Sequence, residues 1–451
     1  MKKLLIVIVI LIAAAIAINL LCRDIPPPDV TDLKVQRPQV SSNENAYTYF
    51  DSATNALHWP TNASIVTDYL AGEPVPEEQV LDVIDRNEEM FRTVDEGLQC
   101  AMCLAPELTG FDSLLPYLAD WRNIGRVLAF RTRYQRLSGS HAEAALTCVS
   151  LLRFGDLLQH DAECLVNYLV GIAVLEIGLQ QARDIAQDDG STDCELSALS
   201  TALAELGPFD HGLVRAMMLE YKGTSKIIDD VINGKFSLND VAGLVGSAPS
   251  GILKRRRIPR YFLQPNKTRA EFATFYRNVI SNAPLPYADM NLYDVEEAFG
   301  IEKSKVKLMT RPNGVGKILC ALMIPAVESL LERKCRTETS VAATSLMVAL
   351  HGYELKKGIF PETVDKLVPD YLASIPSDPY DGRPFRYDPS KGVVYSVGKD
   401  LEDSGGSSTL LSGHESDAPQ KKRWDGKDIV FRIEGLKQRK PLEREVSGDI
   451  E

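Results

Sequence analysis

Histidine is scarce in this chain, six in 451 residues, and no two of them sit at a metal-ligand spacing, so zinc lacks its sequence signature. Excess positive charge is absent too. Acidic residues outnumber basic ones, 62 against 50, for a net charge of −12. That balance presents no general basic field and excludes a general nucleic-acid binder. Period-two alternation is rare between residues 46 and 353, which excludes an all-β body. Asn313-Gly-Val-Gly-Lys317 lacks both the GxxxxGK[ST] spacing and a preceding strand, so it is no phosphate loop. The eight cysteines do not form a disulfide-scaffold pattern. Cys148, Cys164 and Cys320 fall inside apolar helical patterns, where a thiol behaves as a small hydrophobe. His141, His160, His211 and His351 have no Ser, Cys or acidic partner in a motif context, and the sequence names no catalytic residue.

What the chain does have begins at Leu4. Leu4 to Cys22 is apolar except for Asn19, and about 19 residues of helix span roughly 28 Å, enough for a ~30 Å hydrocarbon core. Lys2 and Lys3 precede it, so the rest of the chain is expected outside the cytoplasm. A cleaved signal peptide is the second reading, because Ala13-x-Ala15 and Ala15-x-Ala17 are small-residue cleavage patterns. Lipidation at Cys22 is a third. All three export the chain, and the uncleaved anchor is favoured because Ile18 to Cys22 stays apolar past any such cut.

Residues 23–45 carry Pro26-Pro27-Pro28 and Arg37-Pro38 and read as an extended spacer holding the body off the bilayer. From 46 to 315 the periodicity is helical. Leu115, Leu118, Trp121, Ile124 and Leu128 make one face; Ala142, Ala145, Val149 and Leu152 a second; Leu165, Tyr168, Leu169, Ile172 and Leu179 a third. Gly139 and Gln159-His160-Asp161 break these into antiparallel hairpins. Thr268-Arg-Ala-Glu271 has capping-box spacing and predicts a helix start. Leu137 to Leu158 has a tetratricopeptide flavour but no second copy at a ~34-residue period, so an irregular bundle is expected. A last long helical pattern runs from Gly316 to Lys356, with Pro325 a kink or join. Beyond Gly358 prolines break any helix, Val393–Val397 and Asp428–Ile433 read as strands, and residues 436–451 as a charged tail. Gly358 is placed to end the long helix, and Phe385, Tyr387 and Tyr395 to line a sheet face packed on it.

A family resemblance lies in this last part. Ala349-Leu-His-Gly-Tyr353, Gly358-Ile-Phe-Pro361, Leu367, Ile375-Pro376, Asp378-Pro379, Gly382-Arg-Pro-Phe385, Tyr387 and Tyr395-Ser-Val-Gly-Lys-Asp400 occur in that order. The series resembles the C-terminal half of the major pseudopilin of type II secretion systems, over about a fifth of the chain. The resemblance implies a long helix leading through a turn and a Pro-Asp-Pro loop into a small antiparallel sheet. It also implies one calcium ion in the loop that follows. Asp400 matches the family's first carboxylate, and Gly426-Lys-Asp428-Ile the segment that closes the loop. Asp403 and Asp425, with Glu402, add oxygens nearby, so Asp400, Asp403, Asp425 and Asp428 are the candidate calcium ligands. The alternative is an acidic, solvated Gly/Ser loop without metal. Residues 1–22 lack the pseudopilin leader, cleavage site and early Glu, so polymerisation into a pseudopilus is not expected. Taken whole, the chain resembles envelope proteins of planctomycete-type bacteria to which no activity attaches.

Cys100-Ala-Met-Cys103 has the spacing of a redox pair but no preceding strand, and reads as a structural bridge or two packed thiols. Lys254-Arg-Arg-Arg257 with Arg260, Tyr261 and Phe262 is the only basic run; a solvated connector is favoured over a lipid- or polyanion-binding patch. The expectation is a mainly α fold: an N-terminal transmembrane helix, an irregular helical bundle (46–315), and a small antiparallel β-module on a long helix (316–435). The expected role is a membrane-anchored extracytoplasmic structural or interaction protein of a bacterial envelope, linked to secretion-type assembly. It would be held in the membrane by residues 4–22, with a protein partner and no nucleic acid. An enzyme, either a thiol oxidoreductase on Cys100 and Cys103 or a hydrolase with a dispersed site, is the alternative.

Overall fold

Helix boundaries follow from where the chain can satisfy its free terminal N–H and C=O groups. In the computed structural model, which describes residues 22–107, 115–235, 261–291, 311–323, 327–410 and 423–433, α1 (Ala46–Ala56) starts at Asn45, whose side chain accepts from Tyr47 N. α2 (Ser64–Ala71) ends on Gly72 at φ 91°, a left-handed cap that glycine takes without strain. α3 (Glu77–Arg86) and α4 (Glu88–Gly97) open on Glu77-Glu78 and Glu88-Glu89, negative charge that suits the positive end of a helix dipole. The segment 4–21, the basic residues 254–260, Pro325 and the tail 436–451 lie outside the described residues.

The next helices are longer: α5 (Tyr117–Leu137), α6 (His141–His160) and α7 (Leu165–Ala186). α6 and α7 touch backbone to backbone at two glycines. A Cβ on Gly155 would lie 2.6 Å from Leu175 N, and one on Gly171 2.5 Å from Gln159 N. α7 is long and apolar enough to cross a membrane, but most of it is buried inside the fold, as expected of a helix apolar on nearly every side. α8 (Asp193–Glu205) has a full capping box between Thr192 and Glu195, and α9 (Phe209–Ile232) follows.

α10 (Pro265–Asn282) begins three residues before the expected start. Thr268 is not its cap: it is buried in the first turn, with Oγ1 donating to Gln264 O at 3.0 Å. The cap comes from far away in sequence. Asp24 accepts from Asn266 N at 2.9 Å and from Lys267 N at 3.1 Å. The long C-terminal pattern is two helices, α11 (Gly314–Met323) and α12 (Val327–Lys357). α12 ends at Gly358, φ 73°.

Beyond it, β1 (Arg386–Asp388), β2 (Val393–Ser396) and β3 (Ile429–Arg432) form an antiparallel sheet in the order β1-β2-β3, with Tyr387 opposite Val394 and Val394 opposite Phe431. Val394 and Phe431 pack with Leu346, Met347 and Leu350 of α12. Tyr395 lies on the other face, opposite the expectation; its hydroxyl donates to Asp403 at 3.3 Å. Phe385 and Tyr387 lie on the helix-facing side as expected, with Val394 there in place of Tyr395.

The apolar cores meet on α7 and α12. One cluster packs α1 to α5 around Trp121 and Phe154. A second joins Tyr168 of α7 to α9, α10, Cys320 and Leu331, and a third joins α6, α7 and α8 to Val348 of α12. α12 therefore serves the bundle with one end and one face and the sheet with another.

The Pro-rich stretch differs from a free spacer, because its side chains find partners on the body. Leu33 is buried with Phe275 and Tyr276. Arg277 of α10 grips Asp32 with two bonds of 2.7 Å and donates to Asp29 O at 2.7 Å. Arg37 reaches Glu163 at 3.1 Å and the Ala105 carbonyl.

Candidate functional site

The β-module holds one connected network of charged side chains. Asp378, in the Asp-Pro turn, is fully buried. It accepts from Ser396 Oγ at 2.7 Å, Val397 N at 3.0 Å and Tyr380 N at 3.0 Å. Arg386 lies between three carboxylates, bonding Asp378 at 2.8 Å, Asp381 at 2.5 Å and Asp403 at 3.0 Å. Burial pushes the Asp378 carboxyl above its ordinary value, against the pull of the Tyr380, Ser396 and Val397 donors. Burial also opposes ionisation of Asp403, but Gly405 N–H and Arg386 outweigh it and hold that carboxyl below its usual range.

The four candidate calcium ligands are distributed over this loop. Asp428 is buried and accepts from Ser404 N at 3.2 Å and Ser407 N at 2.7 Å, folding the Gly/Ser loop over the sheet. Asp403 is engaged with Arg386, and Asp400 accepts from Glu402 N at 3.2 Å. Asp425 is also partnered. Among the described residues no group of three or more His, Cys, Asp or Glu side chains gathers as a metal cluster. In this arrangement backbone N–H groups bond Asp400, Asp403 and Asp428, and the Arg386 guanidinium bonds Asp403.

A cleft of about 470 Å³ opens between α7, α12 and the sheet, lined by Gln180, Arg183, Ser408, Arg423 and Phe431 among others. Arg183 is its buried floor. One of its nitrogens donates to Ser340 and Thr344 of α12 at 3.0 and 2.9 Å. Another donates to Glu176 and Gln180 at 3.0 Å each. Its Nε finds no acceptor among the described residues. The Phe431 ring carries two guanidinium groups, Arg423 at 4.5 Å and Arg183 at 5.5 Å. Burial, then the neighbouring Arg183 charge, depress the Arg423 pKa. Asp184 and Asp428 offset this positive charge along the wall. Sequence reading did not single out Arg183; the signal was a charged residue inside the apolar run 165–186.

The other candidates resolve into structural roles. Cys100 and Cys103 are both free thiols. Cys103 is buried, and desolvation and then Asp161 hold its pKa well above a free thiol's. Redox chemistry needs the opposite shift. The Cys100–Cys103 loop is stapled to the start of α1, with Leu104 N donating to Asn45 Oδ1 at 2.9 Å and Ala46 N to Met102 O at 2.9 Å. Cys148, Cys164 and Cys320 are buried free thiols, as expected. Asn313 of the glycine-bearing motif is buried at φ 59° and accepts from Gln264 N at 2.9 Å and Thr268 Oγ1 at 3.0 Å. It is a clasp between α10 and α11. His160 meets Asp161 at 3.3 Å and stacks on His211 at 4.4 Å, with Glu163 beside them holding Arg215 at 2.8 Å and Arg37; this is a polar network at the α6–α7 turn in which Asp161 and Glu163 are buried and His211 and Arg37 are exposed. Comparisons with protein-family models, with curated proteins and with solved structures return no match for this chain.

Proposed function

We propose that this chain is a membrane-anchored, extracytoplasmic structural or interaction protein of a bacterial envelope, with a pseudopilin-like C-terminal module and a role in secretion-type assembly. The supporting observation is the docked strap. The residues that follow the apolar segment are fixed to α10 by Asp24 and by the Asp32–Arg277 pair, which suits a body carried at the end of a membrane helix. A protein partner would meet the polar cleft beside Arg183. Protease added to intact spheroplasts should remove the bulk of the chain and leave a short membrane fragment. Full-length protein that survives until lysis overturns the topology. Calcium, implied by the pseudopilin resemblance alone, is tested by calorimetric titration of the full chain: heat that Asp400→Ala abolishes supports it, and no heat retires it.

A further inference from the structure

We infer that the pole formed by the N-terminal ends of α10 and α11 is a lipid-facing surface, seated on anionic headgroups rather than held away from them. The inference rests on the anchored reading above and adds which face meets the bilayer. Cys22 ends the apolar run, and Asp24, two residues later, is already bonded to Asn266 N and Lys267 N. Two residues span at most about 7 Å, so a helix that ends at Cys22 brings the start of α10 to the membrane surface.

The same contacts define the rest of the pole. Asn266 Nδ2 donates to Ile25 O at 2.9 Å, Gln264 N to Asn313 Oδ1 at 2.9 Å, and Asn313 N to Tyr261 O at 2.9 Å. These bonds gather Arg23, Ile25, Tyr261, Phe262, Lys267 and Arg311 at one end. Arg23, Ile25 and Arg311 are exposed, while Tyr261 and Phe262 are half-buried. In a chain of net charge −12, basic side chains beside an exposed aliphatic and half-exposed aromatics are what an anionic interface attracts. Cys194 supplies a reference point outside this group: it is exposed and sits beside the C-terminal turn of α12, where Lys356 pairs with Asp193 at 2.9 Å.

The test reconstitutes the full chain in vesicles of phosphatidylcholine with or without phosphatidylglycerol, carrying a headgroup quencher. Cys22 and Cys100 are replaced by Ser, and a fluorophore is placed either on native Cys194 or, in C194S, on Arg311→Cys. Flotation first reports membrane association. Quenching several-fold stronger at position 311 than at 194, increased by phosphatidylglycerol and weakened by high salt, supports the seat. Asp24→Ala with Arg277→Ala should still float, keep its far-ultraviolet spectrum, and lose the difference between the two positions. Equal quenching at both positions in floating protein overturns the seat and leaves the anchor standing. Protein that does not float overturns both.

Discussion

At the scale of single residues, Arg386 is the side chain whose removal should cost most in the β-module. It neutralises Asp378, which is fully buried, together with Asp381 and Asp403. Breaking a buried pair leaves an uncompensated charge and costs roughly 3–5 kcal/mol. Arg386→Ala should therefore lower the denaturant midpoint sharply. Arg386→Lys should recover little, because one ammonium cannot meet three carboxylates from a single plane. His351 sets the acid limit of the same module. It is held near Glu354 at 3.5 Å and against Phe360. Burial, opposed weakly by Asp189, lowers its pKa from 6.5 to about 4. The unfolded chain thus binds this proton near pH 6.5 and the folded chain only near pH 4, so stability is full above that window and falls as pH drops through it. By pH 5 the loss is about 2 kcal/mol from this group. Urea titrations at pH 7 and pH 5 should show it, and His351→Gln should remove that part of the difference.

Among the helices, the α6–α7 contact is sensitive to volume. A methyl on Gly171 meets the Gln159 backbone at 2.5 Å, and backbone cannot swing aside as a side chain can. Gly171→Ala should cost at least the ~1–3 kcal/mol typical of overpacking, whereas alanine at Gly223, in α9, meets nothing within 4 Å and should be neutral or stabilising. A paired thermal melt of the two variants checks this. The periodicity that exposes these helices in the sequence is set by burial, so Leu118, Trp121, Ile124 and Leu128 read correctly and are buried. Gly139 separates α5 from α6 where expected, whereas α6 runs through Gln159 and His160 and the break before α7 is Asp161 to Cys164. Helix starts are less legible. Thr268-Arg-Ala-Glu271 has the right spacing for a cap, yet Asp24, more than two hundred residues away, takes the first N–H groups of α10. The true capping box, Thr192 to Glu195, looks no different in sequence. A local pattern shows that N–H groups need an acceptor and leaves open which segment supplies it.

For the molecule as a whole, the same limit applied to Arg183. An apolar helix is visible in residues 165–186, and Glu176 and Gln180 on it accept from its one buried arginine, but the other two acceptors lie on α12, at Ser340 and Thr344, more than 150 positions on. That arginine joins two bodies that the sequence suggests as separate. It hydrogen-bonds across α7 and α12, and its guanidinium lies 5.5 Å from the Phe431 ring of β3. If the link holds the sheet to the bundle, the chain should melt in one transition, since α12 also shares its apolar faces with both. Arg183→Met keeps much of the packing volume but leaves Ser340, Thr344 and Glu176 without their donor. It should weaken the interface by about 2–3 kcal/mol, the range for charge-assisted bonds, and split the melt. The sheet should then lose protection from amide exchange ahead of α5 and α6, in the order expected of a unit that has become free to open by itself. A single transition in Arg183→Met, with exchange in β2 and α6 still rising together, would assign the coupling to the α12 apolar faces alone and leave Arg183 as a lining of the cleft.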